Sequence, residues 1–482
     1  MGRQPRPWSG CSWADGGVAP ATVLTLLPGP AGVSARLPWE TAQATTPDPV
    51  GPDALHAICY RAAVAGADVY RFLRIALRRE RGILRVGNRF VADGRYREVA
   101  FVAVGHAANS MALAALDVFG ERLTQGYLAG PEPGAPNVPF QVAELPAGWG
   151  GAEEAPAVVG AAREIAAGLR ASDLLLVLLS PGSLRGLLLP PPGVAPVEFS
   201  RFLEEAHGLG ATGAEVMLLA RVLGSGGVGG RLLPASTAAD IEVLMVDRGD
   251  GPALLGGGPF TPIAPNERAE ARAVIERVGL AGRLPATAVE ALRVGAPAAP
   301  LPPSLRRPVL VTGPADALRG AADAAFDKGW TSRLASLEMR EPPDAAADQL
   351  LARTETFLEE GRSAPPGRTK GYATFAMTTL DLPEGVDDTL ACWEFLQRAR
   401  AGLRRRELSV SLLRTAGPLR LPNDSDDPGD PGGWVVGAPS DAEATPTPDE
   451  TRPLAMRPGI TDVGLVAMSL WRPPATPAKG KG

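Results

Sequence analysis

The sequence predicts an α/β protein of two domains, with parallel or mixed sheets sandwiched by helices. Three observations carry this. Four aliphatic runs, Val99–Val104, Leu174–Leu179, Val243–Val246 and Val309–Thr312, are short, almost free of polar residues and followed by glycine or turn residues. Such runs read as strands buried on both faces. Helical periodicity follows three of them, across Ala107 to Phe119, Pro196 to Gly208 and Ala315 to Lys328, which gives βαβ units and a parallel sheet. Lastly, a Pro-rich spacer at 296–307 divides the chain into a domain at 51–295 and another at 308–440.

Taken in order, residues 1–50 are rich in Gly, Pro, Ser, Thr and Ala without a period, and read as a flexible extension. Leu55, Ile58, Ala62, Val69, Phe72, Leu73 and Ile75 recur at helical spacing, which predicts one or two helices through Arg79. Tyr372 to Leu382 is β-like, and Asp388 to Arg406 is helical. An acidic Asp/Pro/Gly loop spans 423–433. Residues 441–482 read as a Pro/Thr-rich tail with short apolar segments.

The 482 residues carry a formal charge of −5, which argues against a nucleic-acid partner, since phosphate backbones need clustered positive charge. Cys11, Cys59 and Cys392 are odd in number and unpaired in spacing, so neither a disulfide framework nor a zinc site is expected and the compartment reads as reducing. The longest strongly aliphatic run has six residues, far below the roughly 20 that cross a bilayer. Asp15 and several prolines disfavour a signal peptide over 17–33. A soluble, cytoplasmic protein is expected. Only Lys328, Lys370, Lys479 and Lys481 are lysines among 48 basic residues, so any chemistry before Lys328 does without an ammonium group.

In open α/β sheets ligands bind at the carboxyl ends of strands. Gly105-His106 stands at such an end, where helix-start amides could hold an anion with His106 facing it; an ordinary histidine at a helix start is the plainer reading. Ser180-Pro181-Gly182-Ser183 occupies the same place after the next strand. It could cradle phosphate, although Pro181 removes one donor and simple turn chemistry serves as well. Gly224-Ser-Gly-Gly-Val-Gly229 matches G-x-G-x-x-G, but it follows a helix at Glu215–Leu223 where the dinucleotide fingerprint needs a strand. A helix end with chain reversal fits better. No P-loop occurs, Ser180 is not in a G-x-S-x-G elbow, and His56, His106 and His207 lie in unrelated contexts. Asp424, Asp426, Asp427 and Asp430 lack the Glu of a calcium loop and read as a solvated turn.

In order, these pieces resemble the glycerate 2-kinase family, whose C-terminal part is the MOFRL domain, over roughly residues 52 to 440. Val102-Ala-Val-Gly-His-Ala-Ala-Asn-Ser-Met111 is similar to its G-K-A-A-x-x-M segment, and Ser172 to Ser183 to its strand and S-G-G-x-S loop. Arg221 to Leu232 resembles N-x-V-R-K-H-L-S-x-I-K-G-G-R-L, and Gly249 to Pro259 resembles G-D-D-x-x-x-I-A-S-G-P. The resemblance implies transfer of the γ-phosphoryl of ATP, with Mg2+, to the 2-hydroxyl of D-glycerate. It places His106, Arg221 and Asp250 in catalysis, and Gly105, Ser180, Gly182, Ser183, Ser225, Gly229, Gly230 and Arg231 around substrate or phosphate. Asp247 and Asp250 fall at the metal. The departures concern charge. Three family lysines fall on His106, Val222 and Val228, the histidine of G-H-P-x-P-D falls on Trp149, the G-G-R-N-Q-E run is at best Leu390–Glu394, and the T-D-G loop survives as Thr415-Ala-Gly417. Phosphoryl transfer depends on positioning and electrostatics, so these losses predict an impaired or inactive kinase. ATP and Mg2+ are expected only if it is active, and a small glycerate-like anion is the expected ligand in either case.

Overall fold

The computed structural model describes residues 54–130, 140–144, 153–249, 255–283, 286–293, 300–362, 369–382, 389–403, 408–417, 433–437, 451–453 and 459–471. The expected N-terminal extension, Trp149, Asp250 and the acidic loop up to 432 lie outside these residues.

Two helices open the described chain, α1 (Ala54–Gly66) and α2 (Val69–Ala76). The Asp68 carboxylate caps α2 by accepting the Arg71 N–H at 3.0 Å. The helical period predicted through Arg79 stops three residues early. Leu77 begins an antiparallel meander, β1 (Leu77–Glu80), β2 (Ile83–Val86) and β3 (Arg89–Ala92). Its turns carry the reason: Arg81 and Gly82 both have positive φ, as does Gly87, and Leu77, Leu84 and Val86 alternate into the core.

The first large sheet contains β4 (Val99–Val104), β5 (Leu123–Gly130), β6 (Gln141–Glu144), β7 (Leu174–Leu179), β8 (Asp240–Val246) and β9 (Val309–Thr312). Its order is β6-β5-β4-β7-β8-β9, parallel throughout. Strands β4, β7 and β8 are buried at every position, which is why β4, β7 and the Val243–Val246 half of β8 are unbroken apolar runs rather than alternating ones; Asp240 and Glu242 interrupt the first half of β8. Helices α3 (Ala108–Phe119), α4 (Ala155–Gly168), α5 (Ser183–Leu187), α6 (Pro196–Gly208), α7 (Gly213–Leu223), α8 (Pro265–Arg277) and α9 (Ala286–Arg293) accompany it. Residues of α4, α6, α7 and α8 share one apolar core with the sheet.

The second sheet is mixed. Helix α10 (Pro314–Asp327) leads into β10 (Thr331–Met339), α11 (Pro343–Arg362), β11 (Tyr372–Thr378) and α12 (Thr389–Gly402). Strands β12 (Leu408–Gly417), β13 (Gly433–Gly437), β14 (Thr451–Pro453) and β15 (Gly459–Trp471) complete it. The order is β10-β11-β15-β12-β13-β14, with only β10 and β11 parallel.

Three elements differ from the sequence expectation. Strand β9, expected to open the second domain, pairs with β8 at the edge of the first sheet, because its parallel register from Leu244↔Val309 leaves no gap for a domain boundary. Helix α1 packs on α10 through small residues: a Cβ at Gly320 would fall 2.2 Å from the Ala62 carbonyl oxygen, so only glycine admits this approach. His56 of α1, wholly buried, places its ring nitrogens 2.7 and 2.8 Å from the Ser411 and Ser409 hydroxyls of β12. The first helix therefore belongs with the second sheet. Finally, the segment read as a tail supplies β15, which lies between β11 and β12 with Val466, Ala467 and Met468 buried.

The amino end of β8 carries a charged cluster. Tyr96 donates to Asp240 at 3.0 Å, Arg306 donates to it at 3.1 Å, and Arg89 donates to Glu242 at 2.9 Å. Burial pushes the Asp240 carboxyl up, but the hydrogen bonds from Tyr96 and Arg306 and the charge of Arg89 outweigh it and hold it below the usual carboxylate value. A depressed carboxylate stabilises the fold above its unfolded pKa, and that gain is lost as pH falls through the folded value. Asp240→Asn is therefore expected to cost about 1–2 kcal/mol at pH 7 in urea unfolding, and the deficit against the parent should shrink below about pH 4. A deficit independent of pH would contradict the assignment.

Candidate functional site

The strand order places the point where the sheet's winding reverses between β4 and β7, with β5 and β6 to one side and β8 and β9 to the other. Such a reversal opens a crevice at the carboxyl ends of the two central strands, and that crevice is where doubly wound sheets bind ligands. Both sequence-predicted loops lie there, Gly105-His106 after β4 and Ser180–Ser183 after β7.

The loops are built against each other. Gly105 has φ of 116°, and a Cβ on it would lie 2.3 Å from the Ser180 carbonyl oxygen, so no other residue fits. The His106 N–H donates to the Pro181 carbonyl at 2.8 Å, and the Ala107 N–H donates to the buried Ser180 Oγ at 2.9 Å. The Ala108 N–H donates to the Gly105 carbonyl at 3.1 Å. These three amides, expected to be available to an anion, are spent inside the protein, two on bonds to the second loop and one within the first. The His106 ring packs over Gly182, whose absent Cβ would come 2.8 Å from His106 Nε2. Ser183 is wholly buried, and its Oγ has no hydrogen-bond partner among the described residues. A buried hydroxyl without a partner is unusual. Gly256 lies against that oxygen, at 2.7 Å from where its Cβ would stand.

Residues 255–258 connect this crevice to a second cluster. Arg221, on α7, is among the largest wholly buried side chains described. Its Nε and Nη2 donate to the two Glu267 oxygens at 3.0 and 3.2 Å, and its Nη1 donates to the Gly257 carbonyl at 3.1 Å. Arg231 donates to the Val228 carbonyl at 3.0 Å and to the Arg221 carbonyl at 2.8 Å. Burial, with Arg221 and Arg268 nearby, pushes its guanidinium down to about 10. The Gly229 and Gly230 N–H groups donate to the Gly257 and Gly258 carbonyls, both at 2.9 Å, and Ser225 Oγ donates to the Pro190 carbonyl at 2.6 Å. The dinucleotide-like glycines thus close a helix, with Gly224 capping α7, and hold a neighbouring loop. Val222 and Val228 are buried in the sheet's apolar core. Val228 fills the space between Gly224 and Gly257, 3.0 and 2.6 Å from where their Cβ atoms would stand.

At the end of β8, the buried Asp247 donates its N–H to the Thr312 carbonyl of β9 at 3.1 Å, and Asp250 lies outside the described residues. Among the described residues, no group of three or more His, Cys, Asp or Glu is arranged to hold a metal ion.

Sequence reasoning missed three residues here. Glu267 pairs with Arg221 and also caps α8 by accepting the Ala264 N–H at 2.6 Å; the Pro265-Asn-Glu267 start of that helix was its only signal. Arg340, after β10, donates to the Gly249 carbonyl. Asp381, after β11, accepts the Gly213 N–H of α7 at 3.4 Å, and burial pushes its carboxyl up. Leu380 and Asp381 have φ of 52° and 51°, consecutive left-handed residues without glycine, a conformation that clusters at functional sites. No local pattern announces it.

Residues 55–293 match the family model described as a domain of unknown function, DUF4147. No curated protein matches the sequence. Two solved structures do match in fold. The PH0495 protein of Pyrococcus horikoshii OT3 has TM-score 0.63 and 17% identity, over 88% of this chain and 99% of its own. A glycerate kinase of Thermotoga maritima has TM-score 0.60 and 18% identity, over 86% of this chain and 98% of its own. Residues 55–293 are thus similar to the DUF4147 domain, and the chain has the fold of the glycerate kinase, in agreement with the resemblance drawn from its motifs. Among the described residues no helix is long and apolar enough to cross a membrane.

Removing one partner of a buried ion pair strands the other. Arg221→Met is expected to lower stability by about 3–5 kcal/mol in denaturant unfolding, and Arg221→Met with Glu267→Leu by less than the sum of the two single changes. Additive losses would show that the pair does not act as a unit.

Proposed function

We propose that this protein is a glycerate-kinase-fold protein that binds a small hydroxy-acid anion at the β4/β7 crevice and transfers phosphate poorly or not at all. One observation carries the reading. The two arginines that match the family's long motif, Arg221 and Arg231, direct their guanidinium groups at Glu267 and at the carbonyls of Gly257, Val228 and Arg221. A triphosphate needs cations that face it. At two further positions where the resembling family has lysine, Val222 and Val228 are buried in the apolar core. These placements support a site that fits a nucleoside triphosphate poorly, and no phosphoryl-transfer step is assigned to it. Each lost phosphate-facing cation corresponds to about 10³-fold in rate.

Anion binding is supported by the crevice itself. Ser183 Oγ is a buried hydroxyl awaiting a partner, and the His106 ring stands over the same loop. Histidine acquires charge readily beside an anion. The same convergence favours the second reading, an active glycerate or sugar-acid kinase with a remodelled site in which His106 takes the place of lysine and Asp247 meets the metal.

A coupled ADP-release assay with D-glycerate and Mg-ATP separates the two. The expected turnover is far below about one per second, and turnover at or above that rate would overturn the first reading. In thermal shift, glycerate at millimolar concentration should raise the midpoint of the parent and not of Ser183→Ala. No shift in the parent with glycerate, phosphate or ATP would rule out a retained anion site.

A further inference from the structure

The β1–β3 meander carries an unused surface. Between Leu77 and Arg97 the chain has seven arginines, at 78, 79, 81, 85, 89, 95 and 97, against Glu80 and Asp93, within a protein whose total charge is −5. Most are tied down. Arg79 pairs with Asp93, Arg89 with Glu242, Arg95 with Asp240, Arg97 with Glu98 and Asp173, and Arg78 with Glu80. Arg81 and Arg85 make no ion pair among the described residues.

The register sets Arg78, Arg85 and Phe90 in one row across the three strands, and Glu80, Ile83 and Ala92 in the next, on the same face. Phe90 is 72% exposed and Ile83 51%. They are diagonal neighbours across β2 and β3, with the Arg85 guanidinium 5.8 Å from the Phe90 ring centre. The opposite face, with Leu77, Leu84 and Val86, is buried.

Strand β3 is also an open edge, pairing with β2 alone. The Asp93 N–H donates to the Gly82 carbonyl at 2.8 Å, which makes Ile83↔Ala92 a non-hydrogen-bonded pair in the antiparallel ladder, and Arg85↔Phe90 likewise. The N–H groups of Phe90 and Ala92 and the C=O of Phe90 therefore point outward from the sheet, while the Ala92 C=O starts the short 3₁₀ turn Asp93–Arg95. Proteins normally blunt such an edge. Here it stands beside exposed apolar side chains and two arginines without a carboxylate among the described residues, Arg85 donating its Nε–H to the Gly87 carbonyl at 3.0 Å.

We propose that β3 is a docking edge for an extended acidic polypeptide segment of a partner protein, which adds as a fourth strand to the meander. Its backbone would pair with the outward groups of Phe90 and Ala92, its apolar side chains would cover Phe90 and Ile83, and its carboxylates would meet Arg81 and Arg85. Strand addition of this kind takes affinity from main-chain hydrogen bonds and selectivity from alternate side chains. A nucleic acid fits less well, because its backbone cannot complete a β-ladder and the rest of this acidic chain repels it.

The test is fluorescence anisotropy of the full chain with a labelled peptide of alternating aspartate and valine, against the same peptide with lysine for aspartate. Saturable binding of the acidic peptide alone is expected. Arg81→Glu with Arg85→Glu should weaken it at least about tenfold, the two changes reversing charges that meet carboxylates. Ala92→Pro removes one outward N–H while its φ of −60° already suits proline. It should weaken binding about fivefold, the order of one net hydrogen bond, with the thermal midpoint unchanged. The charge variants carry the test if the proline variant is misfolded. Failure of the acidic peptide to bind, equal binding of the lysine peptide, or insensitivity to the charge reversals would overturn the proposal. So would competition by a single-stranded oligonucleotide, or a dimer of this chain abolished by the same substitutions. None of these outcomes bears on the β4/β7 crevice.

Discussion

The pair between the buried Arg221 and the half-buried Glu267 organises the first domain around residues 255–258. A guanidinium taken wholly out of water needs its charge and donors answered, and among the partners of Arg221 the Glu267 carboxylate and the Gly257 carbonyl take three of its five N–H groups. Because Glu267 starts α8, Arg221 lies on α7 and Gly257 belongs to the segment beside Ser183, a single side chain fixes two helices and a loop relative to one another. Arg231 then closes on the Arg221 carbonyl and on Val228, and the two glycine amides of 229 and 230 complete the weave. The crevice between β4 and β7 is shaped from behind by this cluster.

That arrangement sharpens the meaning of the lysine shortage. Genomic drift from lysine to arginine leaves charge in place. Val222 and Val228 are not arginine, and they sit in the apolar core, with Val228 filling the space between two glycines. Of the arginines that do persist, Arg221 is paired with the Glu267 carboxylate and Arg231 donates to backbone carbonyls. Both observations support the proposal of a crevice with little positive charge for a polyphosphate, valine packing behind the loop in one case and a carboxylate on Arg221 in the other.

Much of the fold was legible because its central strands are buried on both faces. Val99–Val104, Leu174–Leu179 and Val309–Thr312 appear in the structure with the boundaries their aliphatic runs suggest, and Pro196–Gly208 is helical as its period indicates. The meander was hidden by a coincidence of periods: Leu73, Leu77 and Leu84 continue a helical spacing until the Arg81-Gly82 turn is recognised. Pairing partners were out of reach of local pattern, so Val309–Thr312, read as a parallel strand like the other three, was placed after the domain boundary, and β15 was read as part of a tail. In the site, the loops were legible because glycine and serine after a buried strand have a mechanical meaning. The destination of each cation was not, because Glu267 is 46 residues from Arg221 and its partnership is a product of tertiary packing.

The central claim is that Arg221 and Arg231 serve the fold and not a phosphate. Nitrogen-15 spectra of the arginine side chains, with both Nε–H signals assigned by Arg→Lys variants and followed during titration with Mg-ATP and with phosphate, report this directly. Both signals should keep their positions while others move freely. A saturable shift of the Arg221 and Arg231 signals together, at sub-millimolar nucleotide, would show that they face the ligand and would contradict the account.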